Sequence, residues 1–364
     1  MNMQKTISPI FKVLKCILIL ILALVAAVAI FFGILTITEY KPADEESLEY
    51  TNRDSMKTLS IGDDVDILSW NVGYCGLSKT ADFFMDGGTS VRSQDEESVN
   101  NNLTVIGDTL ADLSPDMIYL QEVDNDCTRT YGIPEDSILE ERLSNYGSAF
   151  ATNFSVLYIP YPIPPMGHME AGIQTLSKYE LQEATRIQLP CPFSWPVRLG
   201  NLKRCLLVSR VDIENSDKQF VFVNLHLEAY DDGEGKAAQT AQLAQFIQEE
   251  YDKGNYVVAG GDFNQTFSNI DTSAYPHQSE DLWMCGTLNV DDFSDNWQFV
   301  MDNSSPTCRS LDRAYDENDD TFQFYMIDGF IVSDNLTVNS IKTIDKGFEN
   351  SDHNPVELNV TINE

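Results

Sequence analysis

The strongest constraint on the fold is an uninterrupted apolar run of 22 residues, Cys16–Ile37, near the N-terminus. The run contains no charged residue, and a helix of about 20 apolar residues spans the hydrocarbon core of a bilayer. A helix buried inside a soluble domain is rarely so long and so purely apolar. The sequence therefore predicts one transmembrane helix, which we place at residues 16–38.

Charged residues flank this run unequally. Residues 1–15 hold three Lys and no acid, whereas Glu39 and several further acids follow the run. The positive-inside bias therefore places the short basic segment 1–15 in the cytoplasm and the remainder outside the cell, as in a single-pass protein of the cell membrane. A cleaved signal peptide is the alternative. Its apolar region is usually about 7–15 residues long and ends at a small-x-small site, which residues 36–40 do not resemble.

The rest of the chain is strongly acidic. The 364 residues carry a formal net charge of −34, although the N-terminal segment is basic. Such a surface repels the phosphate backbone, so binding of nucleic acid through charge alone is disfavoured. With 43% hydrophobic residues the chain has enough apolar material for a large core. Seven Cys are too few for a disulfide scaffold. The six that follow the apolar run either form disulfides or stay as buried thiols.

Beyond the apolar run, the sequence predicts a linker at residues 39–62, which are polar and contain Pro42, and one domain at residues 63–364. The domain contains short runs rich in Val, Ile, Phe and Tyr, which are typical of strands. They are Val65–Trp70, Asp116–Leu120, Phe220–Leu225, Tyr256–Ala259, Phe324–Val332 and Pro355–Val360. Helical periodicity occurs at 103–113 and 238–247, so a layered α/β fold is expected. The Pro-rich residues 153–200 are expected to form long surface loops.

Polar residues capable of catalysis or metal binding follow or interrupt several predicted strands. They are Asn71, Glu122, His226, Asp262, Asn264, Asp328, Asp352 and His353. Each one alone is weak evidence, because Asn and Asp also favour turns. Together, at strand ends, they would form an oxygen-rich cavity suited to a hard divalent cation such as Mg²⁺. The sequence contains no H-E-x-x-H, P-loop or G-x-S-x-G string, which disfavours a zinc protease, a nucleotide switch and a serine hydrolase.

In order along the chain, these residues lie in strings that resemble the motif set of the endonuclease/exonuclease/phosphatase superfamily. The strings are SWN (69–71), QE (121–122), NLHLEA (224–229), GGDFN (260–264), IDGFIVSDN (327–335) and SDH (351–353), with AGIQTLSKYEL (171–181) as a looser match. Branches of that superfamily include apurinic endonucleases, neutral sphingomyelinases, inositol polyphosphate 5-phosphatases and deadenylases. The resemblance implies a four-layered α/β sandwich, two packed mixed sheets flanked by helices, that hydrolyses phosphoesters with one or two Mg²⁺ or Mn²⁺ ions.

The resemblance also implies a role for each matching residue. It implies three metal ligands: Glu122, Asn71 and Asp352. His353 resembles the general base that activates water, oriented by Asp328; some accounts of the family instead have this His bind a phosphoryl oxygen. Asp262 resembles the residue that positions the attacking water. Asn264 and His226 resemble donors to the phosphoryl oxygens, a role consistent with stabilisation of developing charge by fixed donors.

The chain departs from the apurinic endonucleases at two positions. They carry an acid two residues after the SWN asparagine, where this chain has Gly73, and many relatives have Tyr where this chain has Gly329. Residues 74–101 match nothing familiar in the DNA-repair members. The leading expectation is therefore a monomeric, membrane-anchored extracellular hydrolase of phosphoesters, with phospholipids or small phosphorylated molecules as substrates. The alternatives are an extracellular nuclease, with Arg186, Arg198, Lys203 and Arg204 as a basic strip, and an inactive surface binding module.

Overall fold

A computed structural model of the chain describes residues 9–231 and 233–364. Its α-helices are α1 (Pro9–Ile37), α2 (Glu96–Leu113), α3 (Glu135–Arg142) and α4 (Glu234–Asp252). Its strands are β1 (Glu45–Ser47), β2 (Tyr50–Thr51), β3 (Asp64–Asn71), β4 (Met117–Asp124), β5 (Gly147–Ile159), β6 (Gly167–Ser177), β7 (Glu183–Gln188), β8 (Cys205–Asp212), β9 (Gln219–His226), β10 (Tyr256–Asp262), β11 (Gln265–Phe267), β12 (Gly286–Leu288), β13 (Trp297–Val300), β14 (Cys308–Arg309), β15 (Phe324–Tyr325), β16 (Asp328–Ser333), β17 (Leu336–Thr343) and β18 (Val356–Ile362).

Two seven-stranded mixed sheets pack face to face between layers of helices. The first sheet has the strand order β1-β7-β8-β9-β10-β16-β13, and the second has the order β17-β18-β3-β4-β6-β5-β2. The core between them joins Ile67 and Tyr119 of the second sheet to Phe222 and Val258 of the first. Helix α4 packs on the outer face of the first sheet, and α2 and α3 pack on the outer face of the second. The predicted four-layered α/β sandwich is confirmed.

The central strands are buried on both faces, so their sequences are nearly continuous apolar runs. Strand β10, for example, is buried at every position. Asp95 is the N-cap of helix α2, and its side chain accepts a hydrogen bond from the Ser98 N–H. The helix ends before Ser114, which adopts a positive φ and precedes Pro115. All six predicted strands and both predicted helices are present. The strand predicted at 324–332 is divided into β15 and β16.

The expectation of long surface loops over residues 153–200 was wrong. This region contains the end of β5, all of β6 and all of β7, and the connections at 160–166, 178–182 and 189–204 lie outside these strands. Proline had suggested loops because it cannot donate to a sheet. However, the prolines lie in the two connections, such as Pro162 and Pro196, and leave the strands free to pair.

Helix α1 is long and apolar enough to cross a membrane, although a signal sequence would meet the same criterion. The segment that follows was expected to be a linker, but its residues pack on the domain. Strand β1 pairs with β7 at the edge of one sheet, β2 pairs with β5 at the edge of the other, and Leu59 is fully buried. The segment is ordered because its backbone groups complete two sheet edges. All seven Cys are free in the described part of the chain.

Candidate active site

Strand directions explain why the polar residues converge. Strands β3 and β4 are parallel, and so are β9 and β10, so Asn71, Glu122, His226 and Asp262 all lie toward carboxyl ends at one edge of the sandwich. Strand β16 runs antiparallel to β10 and begins at Asp328, directly opposite Asp262. Asn264 follows β10 directly, and the turn before β18 supplies Asp352 and His353 at the same edge. The structure thus brings all eight predicted residues to one site.

Glu122 is directed into the site by a distortion of β4. The pairing of β4 with β6 shifts register between Leu120 and Val123, and Glu122 has a φ of 55°. A positive φ is strained for a residue other than Gly, and such strain is found mainly where surrounding structure holds a functional side chain in place. Asn71 donates from Nδ2 to Glu122 Oε1 at 3.1 Å and to Asp262 Oδ2 at 3.0 Å, and its Oδ1 accepts from Gly73 N–H at 3.0 Å.

A line of buried side chains crosses the floor of the site. His353 Nδ1 lies 2.8 Å from Asp328 Oδ2, and His353 Nε2 lies 3.8 Å from Asp262 Oδ2. On the other side of Asp262, His226 Nε2 lies 3.3 Å from the same Oδ2. Asp328 is held in place by its backbone N–H, which donates to Thr307 Oγ1 at 3.2 Å. Asp328 Oδ1 has no hydrogen-bond partner among the described residues.

The two imidazoles have opposite tendencies to ionise. Burial lowers the pKa of His226 well below its usual value, and the charges of Arg204 and His353 lower it further. Burial also acts to lower the pKa of His353, but the Asp328 carboxylate outweighs it, so that the pKa of His353 is raised well above its usual value. Burial therefore favours the neutral form of His226, and the Asp328 carboxylate favours the protonated form of His353.

Two of the buried carboxyl groups hold protons unusually strongly. Burial raises the pKa of Asp262 to about 7, and the Asp328 carboxylate adds to this effect. Burial raises the pKa of Asp352 to about 6; the charge of His353 opposes the shift and the carboxylate of Glu122 reinforces it. Perturbed carboxyl groups in a cleft are typical of functional sites.

The donor set fits a hard divalent cation. Glu122 and Asp352 both line the cleft, and their like charges interact. Closely spaced carboxylates repel one another without a cation between them, and carboxylate oxygens are the protein ligands that Mg²⁺ prefers. The amide oxygen of Asn71 faces Gly73 in this arrangement, so a ligand role for Asn71 stays a prediction. Among the described residues, Asp262, Asp328 and His353 also form a group compact enough to hold an ion.

Other residues of the motif strings hold the two sheets in register. Asn264 has a φ of 51° and its Nδ2 donates to Leu227 O at 2.9 Å, which joins two loops beneath the cleft. Gln121 donates from Nε2 to Asn224 Oδ1 at 2.8 Å. Asn224 in turn donates to Gln174 O at 2.9 Å. This buried amide chain crosses between the sheets, and polar groups paired in this way fix a unique alignment.

The site forms the floor of a cleft of about 1250 Å³, its open mouth included. Three buried Arg line its walls: Arg204, which the sequence had suggested as part of a basic strip, and Arg129 and Arg309, which it had not. Arg129 makes a two-pronged pair with Asp124 and lies 3.6 Å from the Tyr74 ring centroid. The Nε atoms of Arg204 and Arg309 have no hydrogen-bond partner among the described residues. Arg129 is paired with Asp124 and Arg204 with Glu228 at 3.8 Å, whereas Arg309 has no ion pair among the described residues.

The segment that matched no familiar motif, residues 74–101, forms part of the cleft wall. Phe83, Met85 and Asp86 line the cleft, and Tyr230 Oη donates to Asp86 Oδ1 at 3.1 Å. Burial raises the pKa of Asp86 to about 7, while the bond from Tyr230 acts in the opposite direction. No sequence signal identified these residues, because their approach to the site depends on contacts between distant loops.

The basic strip considered for nucleic acid does not form. Arg186 is buried and donates to the Thr152 and Lys203 carbonyl oxygens. Arg198 and Lys203 both pair with Glu39. Only Arg204 of the four reaches the cleft. Since three of the four charges are committed to internal contacts, they do not provide a surface for a polyanion.

A comparison with family models decides the membership of the chain. The model described as the Endonuclease/Exonuclease/phosphatase family matches residues 68–353, which include every residue of the site. The chain belongs to the endonuclease/exonuclease/phosphatase family. Members of this family are generally hydrolases of phosphoesters. No curated protein matches the chain by sequence.

Solved structures of the endonuclease/exonuclease/phosphatase fold superpose on this chain at low sequence identity. The endonuclease/exonuclease/phosphatase from Beutenbergia cavernae DSM 12333 has a TM-score of 0.56 at 16% identity, over 82% of this chain and 72% of that one. TDP2 of D. rerio, complexed with a single-strand DNA product, gives 0.51 at 16%, over 82% and 99%. The human Nocturnin catalytic domain with bound sulfate gives 0.50 at 16%, over 86% and 97%. At this identity the likeness shows the fold alone.

The two departures from family patterns have structural reasons. Gly73 has a φ of 51°, and a Cβ at this position would lie 2.7 Å from Asp352 Oδ1. A Cβ on Gly329 would lie 2.5 Å from Met301 Cγ and 2.7 Å from Val300 O. Larger residues therefore require a different local backbone. An acid at position 73 would also add a negative charge beside Asp352.

Proposed function

We propose that the chain is a metal-dependent hydrolase of phosphoester bonds, anchored by α1 with its catalytic domain outside the cell. The observation that carries the proposal is the line of buried groups from Asp328 through His353 and Asp262 to His226, beside Glu122 and Asp352 in a cleft lined by Arg. This arrangement has separate groups for binding a cation, holding a water and donating protons to phosphoryl oxygens.

The carboxylates of Glu122 and Asp352 would hold the cation. Such a cation, when bound, neutralises phosphoryl oxygens and stabilises the charge on the leaving oxygen. Asn71 donates from one amide nitrogen to Glu122 Oε1 and to Asp262 Oδ2. This amide keeps the proposed metal ligand and the proposed water-positioning residue in a fixed relation.

Asp262 would orient the attacking water and take its proton. Its Oδ1 accepts from the Asn264 N–H at 2.8 Å, so the carboxylate cannot rotate freely. A pKa of about 7 suits a group that must accept a proton near neutral pH. His226 is neutral, and its Nε2 faces Asp262, which orients the carboxylate from the second side. Direct donation by Asn264 or His226 to the phosphate stays a prediction.

Of the two roles implied for His353, we propose donation to a phosphoryl oxygen. The Asp328 carboxylate raises the pKa of His353 well above its usual value, so the ring is protonated at neutral pH and cannot accept a proton from water. A protonated imidazole held in a fixed position can donate from Nε2 and stabilise the negative charge that develops on the phosphate. The pH dependence separates the roles, because a donor loses activity as pH rises through its pKa and a base gains it.

The test is hydrolysis of bis-p-nitrophenyl phosphate by the full chain in detergent micelles with Mg²⁺ or Mn²⁺. We expect EDTA to abolish turnover, and we expect Glu122→Gln and His353→Ala to reduce it by at least about 100-fold. Glu249→Gln and the exposed His277→Ala are the matched controls and should retain it. Activity that survives EDTA refutes the metal mechanism.

The same preparations distinguish the alternatives. If the chain is an extracellular nuclease, it should cleave plasmid DNA faster than the small diester. The internal contacts of Arg186, Arg198 and Lys203 argue against this alternative. An inactive binding module predicts no turnover of any phosphoester by the wild-type chain. The location of the domain is tested by adding protease to intact cells, since only an external domain is digested.

A further inference from the structure

One surface of the domain exposes large apolar side chains beside the apolar helix. We call it the rim surface, and it consists of Leu157, Tyr158, Tyr161, Ile163, Trp195 and Val197. Ile163 is 93% exposed and Tyr161 is 71% exposed, at the tip of the connection between β5 and β6. Contiguous exposed apolar side chains of this size mark an interaction site in a soluble domain.

The rim surface is built from two stretches without acidic or basic residues. Residues 151–169 and 187–197 contain no Asp, Glu, Lys or Arg, in a chain of which 22% is charged. Glu39 lies next to this surface, but Arg198 and Lys203 neutralise it at 3.1 and 3.5 Å. Net repulsion from an anionic lipid surface, expected for the rest of this protein, is therefore absent here.

The rim surface is continuous with the end of α1. Trp195 Nε1 donates to Thr36 Oγ1 at 3.1 Å, and its ring centroid lies 6.0 Å from that of Phe32. Because Thr36 is at the point where the helix enters the domain, any bilayer that surrounds α1 meets Trp195 at its surface. The ordered pairing of β1 with β7, which begins at Glu45, prevents the domain from moving far from that position.

We infer that the rim surface rests on the outer leaflet of the bilayer that α1 crosses, with the 160–166 tip and Trp195 in the interfacial region. Exposed Trp, Tyr and aliphatic side chains are the residues that proteins place at this depth. Prolines such as Pro162 and Pro164 suit the tip, because they leave no backbone N–H to be desolvated there.

The mouth of the cleft adjoins the same surface. Phe154, Met166 and Leu202 line the cleft and come from the segments that carry the rim surface. The Tyr161 ring lies 6.3 Å from Phe84, and the neighbouring Met85 also lines the cleft and is 46% exposed. A molecule embedded in the leaflet therefore reaches the site along an apolar wall without crossing the acidic exterior.

The substrate that fits this geometry is the headgroup phosphoester of a membrane lipid. Its phosphate would reach the floor of the cleft, while its acyl chains remain at the rim surface. A freely soluble phosphoester gains nothing from exposed Ile163 or Tyr161. This assignment of substrate rests on the proposed phosphoesterase function, whereas contact of the rim surface with the bilayer does not.

The test uses the full chain reconstituted in phosphatidylcholine vesicles. The probe for contact is Ile163→Trp, whose fluorescence is read with brominated phosphatidylcholine. Ile61→Trp is the matched control, since Ile61 lies at the opposite end of β3 from the site. We expect quenching of the added fluorescence by about twofold in the first variant and none in the second. Absence of quenching in Ile163→Trp overturns the contact.

The probe for substrate class is hydrolysis of phosphatidylcholine, sphingomyelin and phosphatidylinositol in the same vesicles, compared with bis-p-nitrophenyl phosphate. We expect the double variant Ile163→Glu with Val197→Glu to lose about tenfold or more on lipid and to stay within about twofold on the soluble diester. Ile61→Glu should match the wild type on both. Equal lipid turnover in the double variant overturns the proposal. If the wild type cleaves only the soluble diester, the lipid assignment is wrong; if it cleaves nothing, the proposed function fails and the quenching result stands alone.

Discussion

Replacement of Asp328 by Asn removes one negative charge from the side of His353 with almost no change in shape. The two groups are 2.8 Å apart, and their side chains are 5% and 1% exposed. Unit charges about 4 Å apart at an effective dielectric constant of about 20 interact by about 4 kcal/mol. This corresponds to about three pKa units. We therefore expect the pKa of His353 to fall by roughly that amount in Asp328→Asn.

The consequence for catalysis follows from the sign of the shift. In the proposed role His353 donates as a cation, so we expect activity to be retained below its pKa and lost as pH rises through it. In the wild type this loss should occur above neutral pH, because the pKa of His353 is raised. In Asp328→Asn the descending limb should move down by about three pH units, so turnover at and above neutral pH should fall.

The assay is the pH profile of kcat/KM on bis-p-nitrophenyl phosphate, with the four His observed by NMR in selectively labelled protein. Far-UV circular dichroism and urea unfolding show whether the variant is folded, because Asn places an amide N–H where Asp328 Oδ1 has no partner. A descending limb that does not move, in a folded variant, refutes the ionic support of His353. An ascending limb that moves instead identifies His353 as a general base.

Three further predictions concern the metal site and stability. Mg²⁺ titration followed by isothermal calorimetry should show that Glu122→Gln weakens binding of the cation, and turnover should fall by about 10³-fold. Gly73→Asp should lower the free energy of unfolding by about 3 kcal/mol, measured in urea, because φ is positive and the new Cβ contacts Asp352. Burial acts to raise the pKa of Glu250, but hydrogen bonds from Arg210 and Lys253 outweigh burial and lower the pKa to about 2. This pair therefore stabilises the fold above about pH 4.5, and its contribution should disappear as pH falls toward 2; Glu250→Gln should cost about 2 kcal/mol at pH 7 and little at pH 2.

The sequence was sufficient to predict the central strands and the positions of the site residues, but it did not establish the roles of those residues. Apolar runs such as Tyr256–Ala259 identify central strands because both faces of those strands are buried. The motif strings identify the eight polar residues because each lies at or within a few residues of a strand end, where local sequence constrains the position of a side chain. Their convergence at one edge is confirmed by the structure, whereas their roles stay predictions.

The walls of the cleft could not be predicted in the same way. Arg129 is held in the cleft wall by its ion pair with Asp124. Asp86 is held there by a hydrogen bond from Tyr230, which lies 144 residues further along the chain. Such contacts depend on how loops pack after the sheets have formed, and no local periodicity records them. The prediction of a linker at 39–62 missed β1 and β2 for a related reason, since a short polar strand at a sheet edge resembles a loop in sequence.

The pairing of β1 and β2 with the two sheet edges also affects how the protein can be released from a membrane. Proteases that shed ectodomains need an extended, accessible backbone, which exposed flexible stalks provide. Here the backbone between Glu45 and Thr51 is engaged with β7 and β5, and Glu39 is held by Arg198 and Lys203. The anchored enzyme proposed here should therefore resist cleavage between Glu45 and Thr51, which would keep its activity at the membrane.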